Sequence, residues 1–181
     1  RYTVSPDAPE IWPQPLKDYE KLLVLLKEKE DSWHLDLNKL AVCGFSAGAH
    51  LAASIGNLAS VRPKALILGY PVILAESCDY CIKGLPRPQE GIDDLTPPSF
   101  IFQAVDDSMI PVTNSLEWGK ALSEHHIPFE MHLYSEGEHG FTTGTAYLQF
   151  RKTCGRIHHW VADSIQFLDE LWGPLIPDLT K

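Results

Sequence analysis

The sequence has no long hydrophobic run and no excess of basic residues, and each absence excludes a class of protein. Its longest apolar run, residues 22–26, is far shorter than the ~20 residues that a membrane-spanning helix needs. It has 15 Lys and Arg against 24 Asp and Glu, a net charge of −9, whereas nucleic-acid binders carry a basic patch. We therefore expect a soluble protein with neither a membrane nor a nucleic-acid partner.

Cysteine is also scarce, with only Cys43, Cys78, Cys81 and Cys154. Cys78 and Cys81 have the spacing of a zinc or redox pair, but no second close pair completes a set of four ligands. The sequence therefore predicts no metal site and free thiols in a surface loop, with a metal or a functional disulfide as the alternative. Cys43 lies in an apolar run and is predicted to be a small buried hydrophobic residue.

The remaining composition predicts one globular domain over residues 1–181. The chain is 44% hydrophobic and contains 5 Trp, 6 Tyr and 7 Phe, which is too apolar for a disordered segment. It opens at Arg1 without Met, in sequence that resembles the middle of a domain. We expect a cytoplasmic protein, although a segment before residue 1 could alter that location, and the sequence leaves open whether the chain forms a homo-oligomer.

Short apolar runs alternate with amphipathic segments along the chain, which is typical of a parallel sheet covered on both faces. The predicted strands are 40–43, 65–68, 99–103 and 129–134, and the predicted helices are 16–30, 47–58, 113–125 and part of 155–172. The fold class is therefore α/β, a three-layer α/β/α sandwich with a mostly parallel sheet. Residues 71–98 interrupt the alternation and are predicted to form an irregular, cap-like insertion. The proline-rich first fifteen residues are predicted to form an extended connection.

The most informative motif is Gly44-Phe45-Ser46-Ala47-Gly48, which lies between a predicted strand and a predicted helix. G-x-S-x-G in this context predicts a nucleophile elbow. The sharp turn holds the serine in a strained conformation that we expect only the nearby glycines to accommodate. Ser46 Oγ would then lie above the carboxyl edge of the sheet, with the Ala47 N–H directed at a developing oxyanion. A turn without chemistry is the alternative.

A serine hydroxyl becomes a nucleophile when a base takes its proton and a third group orients that base. In this fold the chain order is serine, acid, histidine. Asp106 and Asp107 both follow the third predicted strand, so the residues alone leave the choice of acid open. His139 follows the fourth strand in a glycine-containing loop and is the candidate base. The other seven histidines lie in helices, in a strand or in a polar loop; among them His50 is predicted to be structural.

With these residues in view, the chain resembles the α/β-hydrolases of the acetyl-esterase, xylan-esterase and feruloyl-esterase type, relatives of the hormone-sensitive-lipase group. Residues 44–51 are similar to the family's elbow, GFSAGGHLA, and residues 128–141 to its histidine loop. Residues 97–115 resemble its acid loop, in which the Asp three residues before an Ile/Val-Pro pair is catalytic. The resemblance therefore implies Asp107 as the acid.

The resemblance implies a serine carboxylic ester hydrolase that cleaves small acyl esters, such as acetyl esters of carbohydrates, and needs no metal or organic cofactor. It does not identify the substrate-binding residues. A peptidase or amidase of the same fold and a non-catalytic, hydrolase-like binding module are the alternatives.

This chain departs from the family in three places, one of which is that residues 71–95 are shorter than the family's cap-like insertion. The family's HGGG segment, which supplies a second oxyanion donor, would precede residue 1, and the strand at Leu40 would have an unpaired edge. The sequence therefore predicts the C-terminal portion of a longer enzyme, with weak or no activity on its own. Ala49 replaces a family glycine, a change that we expect the helix to tolerate.

Overall fold

The computed structural model describes residues 2–3, 12–74, 85–144 and 153–175. These residues contain one sheet of four parallel strands that neighbour each other in chain order. The strands are β1 (Ala41–Phe45), β2 (Ala65–Gly69), β3 (Ser99–Ala104) and β4 (Phe129–Tyr134). Since all four run the same way, their carboxyl ends lie along one edge of the sheet.

Four α-helices connect and cover the strands: α1 (Gln14–Lys29), α2 (Ala47–Leu58), α3 (Thr113–Glu124) and α4 (Trp160–Trp172). On one face of the sheet, α2 and α3 pack against side chains of β2 and β3 to form a core that includes Trp118. Helix α1 packs on the outer side of α2 through Tyr19. Helix α4 covers the opposite face, so the chain forms the expected α/β/α sandwich.

The core under α4 is aromatic and extends towards the carboxyl edge of the sheet. Trp160 stacks on Phe102 with ring centroids 4.2 Å apart and an interplanar angle of 9°. Phe141 and Tyr70 join the same buried cluster. Buried aromatic pairs contribute about 0.5–1.5 kcal/mol beyond the area that they bury. This cluster therefore gives firm support to the loops that leave β2, β3 and β4.

The predicted strands and helices all lie within two residues of the observed ones, except that α4 begins at Trp160, after a 3₁₀ turn at Ile157–His159. The burial predicted for β1 is wrong. Cys43 is exposed and Phe45 is 39% exposed, whereas every residue of β2 and β3 is buried. Within the described residues β1 pairs with β2 alone, so its other edge has no neighbouring strand there.

The predicted insertion at 71–98 is irregular where the structure describes it, at residues 71–74 and 85–98. Its described residues include a 3₁₀ turn, Pro88–Gly91. Cys78 and Cys81 lie outside the described residues, as does most of the proline-rich opening. Across the described segments, no helix combines the length and apolar character needed to cross a bilayer.

Candidate active site

Ser46 lies in the sharp turn between β1 and α2, at the carboxyl edge of the sheet. Its backbone has φ 54° and ψ −124°, a conformation that is unfavourable for a residue with a side chain. Ser46 N–H donates to the Gly69 carbonyl at 2.9 Å, and the Ser46 carbonyl accepts from the N–H groups of Ala49 and His50. Such strain persists where the surroundings enforce it, and it is concentrated at functional sites.

The two glycines of the elbow, Gly44 and Gly48, differ in the space that is available for a side chain. A Cβ on Gly44 would lie 2.2 Å from the Gly48 carbonyl oxygen, so position 44 has no room for a side chain. Among the described residues outside its own helix, a Cβ on Gly48 would meet the Tyr2 hydroxyl, at 3.8 Å. Among the described residues, the steric requirement for glycine therefore falls on Gly44 rather than on Gly48. Ala49, which is fully buried against the sheet, fits without conflict, as expected.

This difference predicts opposite effects of alanine at the two positions. Gly44→Ala should destabilise the fold by about 3 kcal/mol, because the new Cβ meets backbone that must shift. Gly48→Ala should be neutral or stabilise the fold by up to about 1 kcal/mol, because alanine is the better helix former. Urea unfolding followed by circular dichroism measures both changes. Equal stabilities of the two variants would contradict this view of the elbow.

The structure brings Ser46, His139 and Asp107 together in a chain of hydrogen bonds. Ser46 Oγ lies 2.8 Å from His139 Nε2, and His139 Nδ1 lies 2.8 Å from Asp107 Oδ2. The Asp107 side chain is completely buried and the His139 ring is 12% exposed. Because a carboxylate only accepts, Nδ1 carries the proton and Nε2 is left to accept from the serine hydroxyl. This arrangement can activate a serine.

Asp107 is held by donors on both carboxylate oxygens. Its Oδ1 accepts the N–H groups of Met109 at 3.0 Å and Ile110 at 2.8 Å. Its Oδ2, which faces His139, also accepts from Gln103 Nε2 at 3.3 Å. Gln103 is fully buried and is fixed by the Ile110 carbonyl and the Ser115 hydroxyl. These donors compensate the burial of a charged carboxylate.

Asp106, the other candidate acid, points elsewhere. Its Oδ1 accepts the backbone N–H groups of Gly137 and Glu138 in the loop that precedes His139. The residues alone could not choose between the two adjacent aspartates. In the structure it is Asp107 that contacts the imidazole.

Sequence reasoning missed Tyr70, which follows β2 and packs against the candidate base. Its ring lies edge-to-face with the His139 ring, with centroids 5.0 Å apart, and also contacts Phe141. Burial raises the pKa of Tyr70 to about 12, so the phenol stays neutral beside the imidazole. In the sequence, the only indication of this role is an aromatic residue at the end of a predicted strand, which is a weak indication.

The predicted oxyanion donor, Ala47, is the first residue of α2. N–H groups in the first turn of a helix have no acceptor within the helix, and the helix dipole favours negative charge there. Ala47 N–H therefore lies next to the nucleophile in a position suited to an oxyanion, and its role remains a prediction.

His50, one turn further along α2, is structural in its contacts, as predicted. It is 2% exposed and its Nε2 hydrogen-bonds the Pro86 carbonyl at 2.9 Å. Burial lowers its pKa, so the ring stays neutral and donates from Nε2. Within the described ranges, no group of three or more His, Cys, Asp or Glu side chains is arranged to hold a metal ion.

The chain is similar to one family model and to several known proteins. The BD-FAE family model matches residues 1–66. The α/β hydrolase MGS-M1, from a Medee basin deep-sea metagenome library, has a solved structure that is 32% identical to this chain. The two superpose with a TM-score of 0.82, covering 94% of this chain and 69% of that one.

Two curated relatives are also similar. Endo-1,4-beta-xylanase B of Butyrivibrio fibrisolvens is 32% identical over 156 residues, which cover 71% of this chain and 25% of that protein. Acetylxylan esterase of Xylanibacter ruminicola is 29% identical over 170 residues, which cover 81% of this chain and 35% of that protein. The chain thus spans between a quarter and about a third of the length of these relatives.

Proposed function

Because the chain belongs to the α/β-hydrolase family, we propose that it is a serine esterase that cleaves small acyl esters through an acyl-enzyme. The observation that carries the proposal is the continuous hydrogen-bond chain from Ser46 through His139 to Asp107. Its three members lie just after β1, β4 and β3, at one edge of the sheet. A serine in a strained turn, within 2.8 Å of a correctly oriented imidazole, is suited to acyl transfer.

In the first half-reaction, His139 Nε2 takes the hydroxyl proton as Ser46 Oγ attacks the ester carbonyl carbon. The bond from Oγ to that carbon forms and the carbonyl oxygen becomes an oxyanion, which the Ala47 N–H stabilises. The His139 imidazolium is stabilised by Asp107 through Nδ1. It then gives its proton to the alkoxide as the carbon–oxygen bond breaks, which releases the alcohol.

In the second half-reaction, water attacks the acyl-serine. His139 takes a proton from the water and returns it to Ser46 Oγ as the second tetrahedral intermediate collapses. The carboxylic acid leaves and the free enzyme is restored. Each step uses the same two hydrogen bonds, and no step requires a metal or an organic cofactor.

We place the substrate among small acyl esters, with acetyl groups on carbohydrate as the finer proposal. The similarity to acetylxylan esterase of Xylanibacter ruminicola supports this substrate class. Acetate release from acetylated xylo-oligosaccharides, compared with hydrolysis of p-nitrophenyl butyrate and octanoate, tests it. Faster turnover of octanoate than of acetyl esters would overturn the acetyl preference.

The activity itself is tested with p-nitrophenyl acetate, its amide analogue p-nitroacetanilide, and a fluorophosphonate label. We expect weak but measurable turnover of the ester, at most trace turnover of the amide, and a single adduct that peptide mapping assigns to Ser46. Faster turnover of the amide would identify an amidase instead. A folded chain with neither turnover nor adduct would contradict the proposal and favour a binding module.

A further inference from the structure

The loops that carry Asp107 and His139 are joined to each other by hydrogen bonds in both directions. Asp106 Oδ1 accepts the N–H of Gly137 at 2.8 Å and that of Glu138 at 3.0 Å. In return, Glu138 Oε2 accepts the Ser108 N–H at 3.2 Å and the Ser108 hydroxyl at 2.7 Å. These four bonds connect residues that are about thirty positions apart in the chain.

The partners in these bonds are the immediate neighbours of the triad residues. Asp106 and Ser108 flank Asp107, and Glu138 directly precedes His139. We propose that Asp106, Ser108 and Glu138 form a clasp that sets the distance between Asp107 and His139. They are positioning residues, since none of them contacts the imidazole through the hydrogen bonds described above. The inference rests on the proposed function, which it deepens.

The backbone before His139 needs such a restraint. Glu138 has φ 54°, in the left-handed region that favours glycine. The backbone N–H groups of Gly137 and Glu138, where this turn begins, both donate to Asp106 Oδ1. Beneath the loop, a Cβ on Gly137 would lie 2.3 Å from Ile157 Cδ1 and 3.0 Å from Ala104 Cβ. The clasp above and the close packing below together fix where the loop lies.

The clasp acts through hydrogen bonds more than through charge. Asp106 and Ser108 are exposed and Glu138 is half-buried, so water and salt screen the field of the two carboxylates at the imidazole. Asn at position 106 keeps an oxygen that accepts both N–H groups, whereas Ala removes it. Comparison of Asp106→Asn with Asp106→Ala therefore separates a positioning role from an electrostatic one.

The test measures p-nitrophenyl acetate hydrolysis and backbone hydrogen exchange in the same variants. We expect Asp106→Ala to lower kcat roughly 10- to 100-fold with KM unchanged, because a shift of about 1 Å in a catalytic group costs up to about 10² in rate. Asp106→Asn should retain kcat within about threefold. Glu138→Ala, which keeps the Cβ and its backbone preference, should resemble Asp106→Ala. Asp94→Ala, at another exposed carboxylate, is the matched control.

Hydrogen exchange at residues 135–144 gives a readout that does not depend on activity. We expect exchange there to accelerate in Asp106→Ala and Glu138→Ala, with the rest of the sheet unchanged. An unaltered kcat, or unaltered exchange, in both variants overturns the clasp. Faster local exchange in a chain whose wild type hydrolyses no ester would instead retain the clasp and reject the proposed function.

Discussion

Replacing Ser46 by alanine is expected to lower kcat for p-nitrophenyl acetate by at least about 10³-fold and to abolish fluorophosphonate labelling. The reason is that the proposed mechanism passes through an oxygen–acyl bond at Oγ, and alanine leaves only the donor groups around the site. The change should not unfold the chain, because alanine removes one partly buried hydroxyl and keeps the backbone turn. Steady-state rates and intact mass of the labelled protein measure the two losses.

Two further variants make the test of this prediction more specific. Ser123→Ala, at an exposed serine near the end of α3, should leave both rate and labelling unchanged. His139→Ala should lose about as much rate as Ser46→Ala, and the double variant should lose little more, because the residues act as a unit. Additive losses would show that the two residues do not act as a unit. Labelling that persists in Ser46→Ala would show that another group is the nucleophile.

Replacing Asp107 by asparagine is expected to lower kcat on the order of 10⁴-fold while the fold is retained. The hydrogen-bond donors around position 107 determine the orientation of the new asparagine amide. The Oδ1 position receives two backbone N–H groups, from Met109 and Ile110, so the amide oxygen belongs there. The NH₂ group is then directed at His139 Nδ1, which must become an acceptor, and Nε2 becomes protonated. An imidazole with a proton on Nε2 cannot accept one from Ser46.

Asp106→Asn is the matched control for this prediction, since it makes the same chemical change one residue away. The clasp should survive with an amide oxygen, so kcat should stay within about threefold of the wild type. Rates and circular dichroism spectra of the two variants settle the comparison. A larger loss in Asp106→Asn than in Asp107→Asn would mean that the acid has been assigned to the wrong residue.

The sequence was sufficient for those features that depend on neighbours along the chain. The apolar runs at residues 65–68 and 100–102 predict buried parallel strands, and β2 and β3 are the two central strands of the described sheet. The G-x-S-x-G motif around Ser46 predicts the elbow from local sequence, and Gly44 is the glycine that the sterics require. The resemblance was needed to distinguish Asp107 from Asp106, because two adjacent aspartates have the same local chemistry.

Features that depend on contacts between distant segments could not be predicted in this way. The run before Gly44 is as apolar as that of β2, yet Cys43 is exposed because β1 lies at the edge of the sheet among the described residues. Tyr70 and Glu138 lie in irregular segments, where only the folded chain brings them beside His139 or Ser108. Local patterns carry no information about such pairings.

Because of the order of strands in the sheet, the reactivity of Ser46 depends on all four described strands being paired. Ser46 directly follows β1, and His139, 93 residues later in the chain, follows β4. Their 2.8 Å contact therefore exists only while every intervening strand is paired in register. Local opening of any strand separates the pair, so the rate of fluorophosphonate labelling measures how much of the population has a complete sheet. A destabilising substitution far from the site would then slow labelling in proportion to the fraction of molecules that it opens.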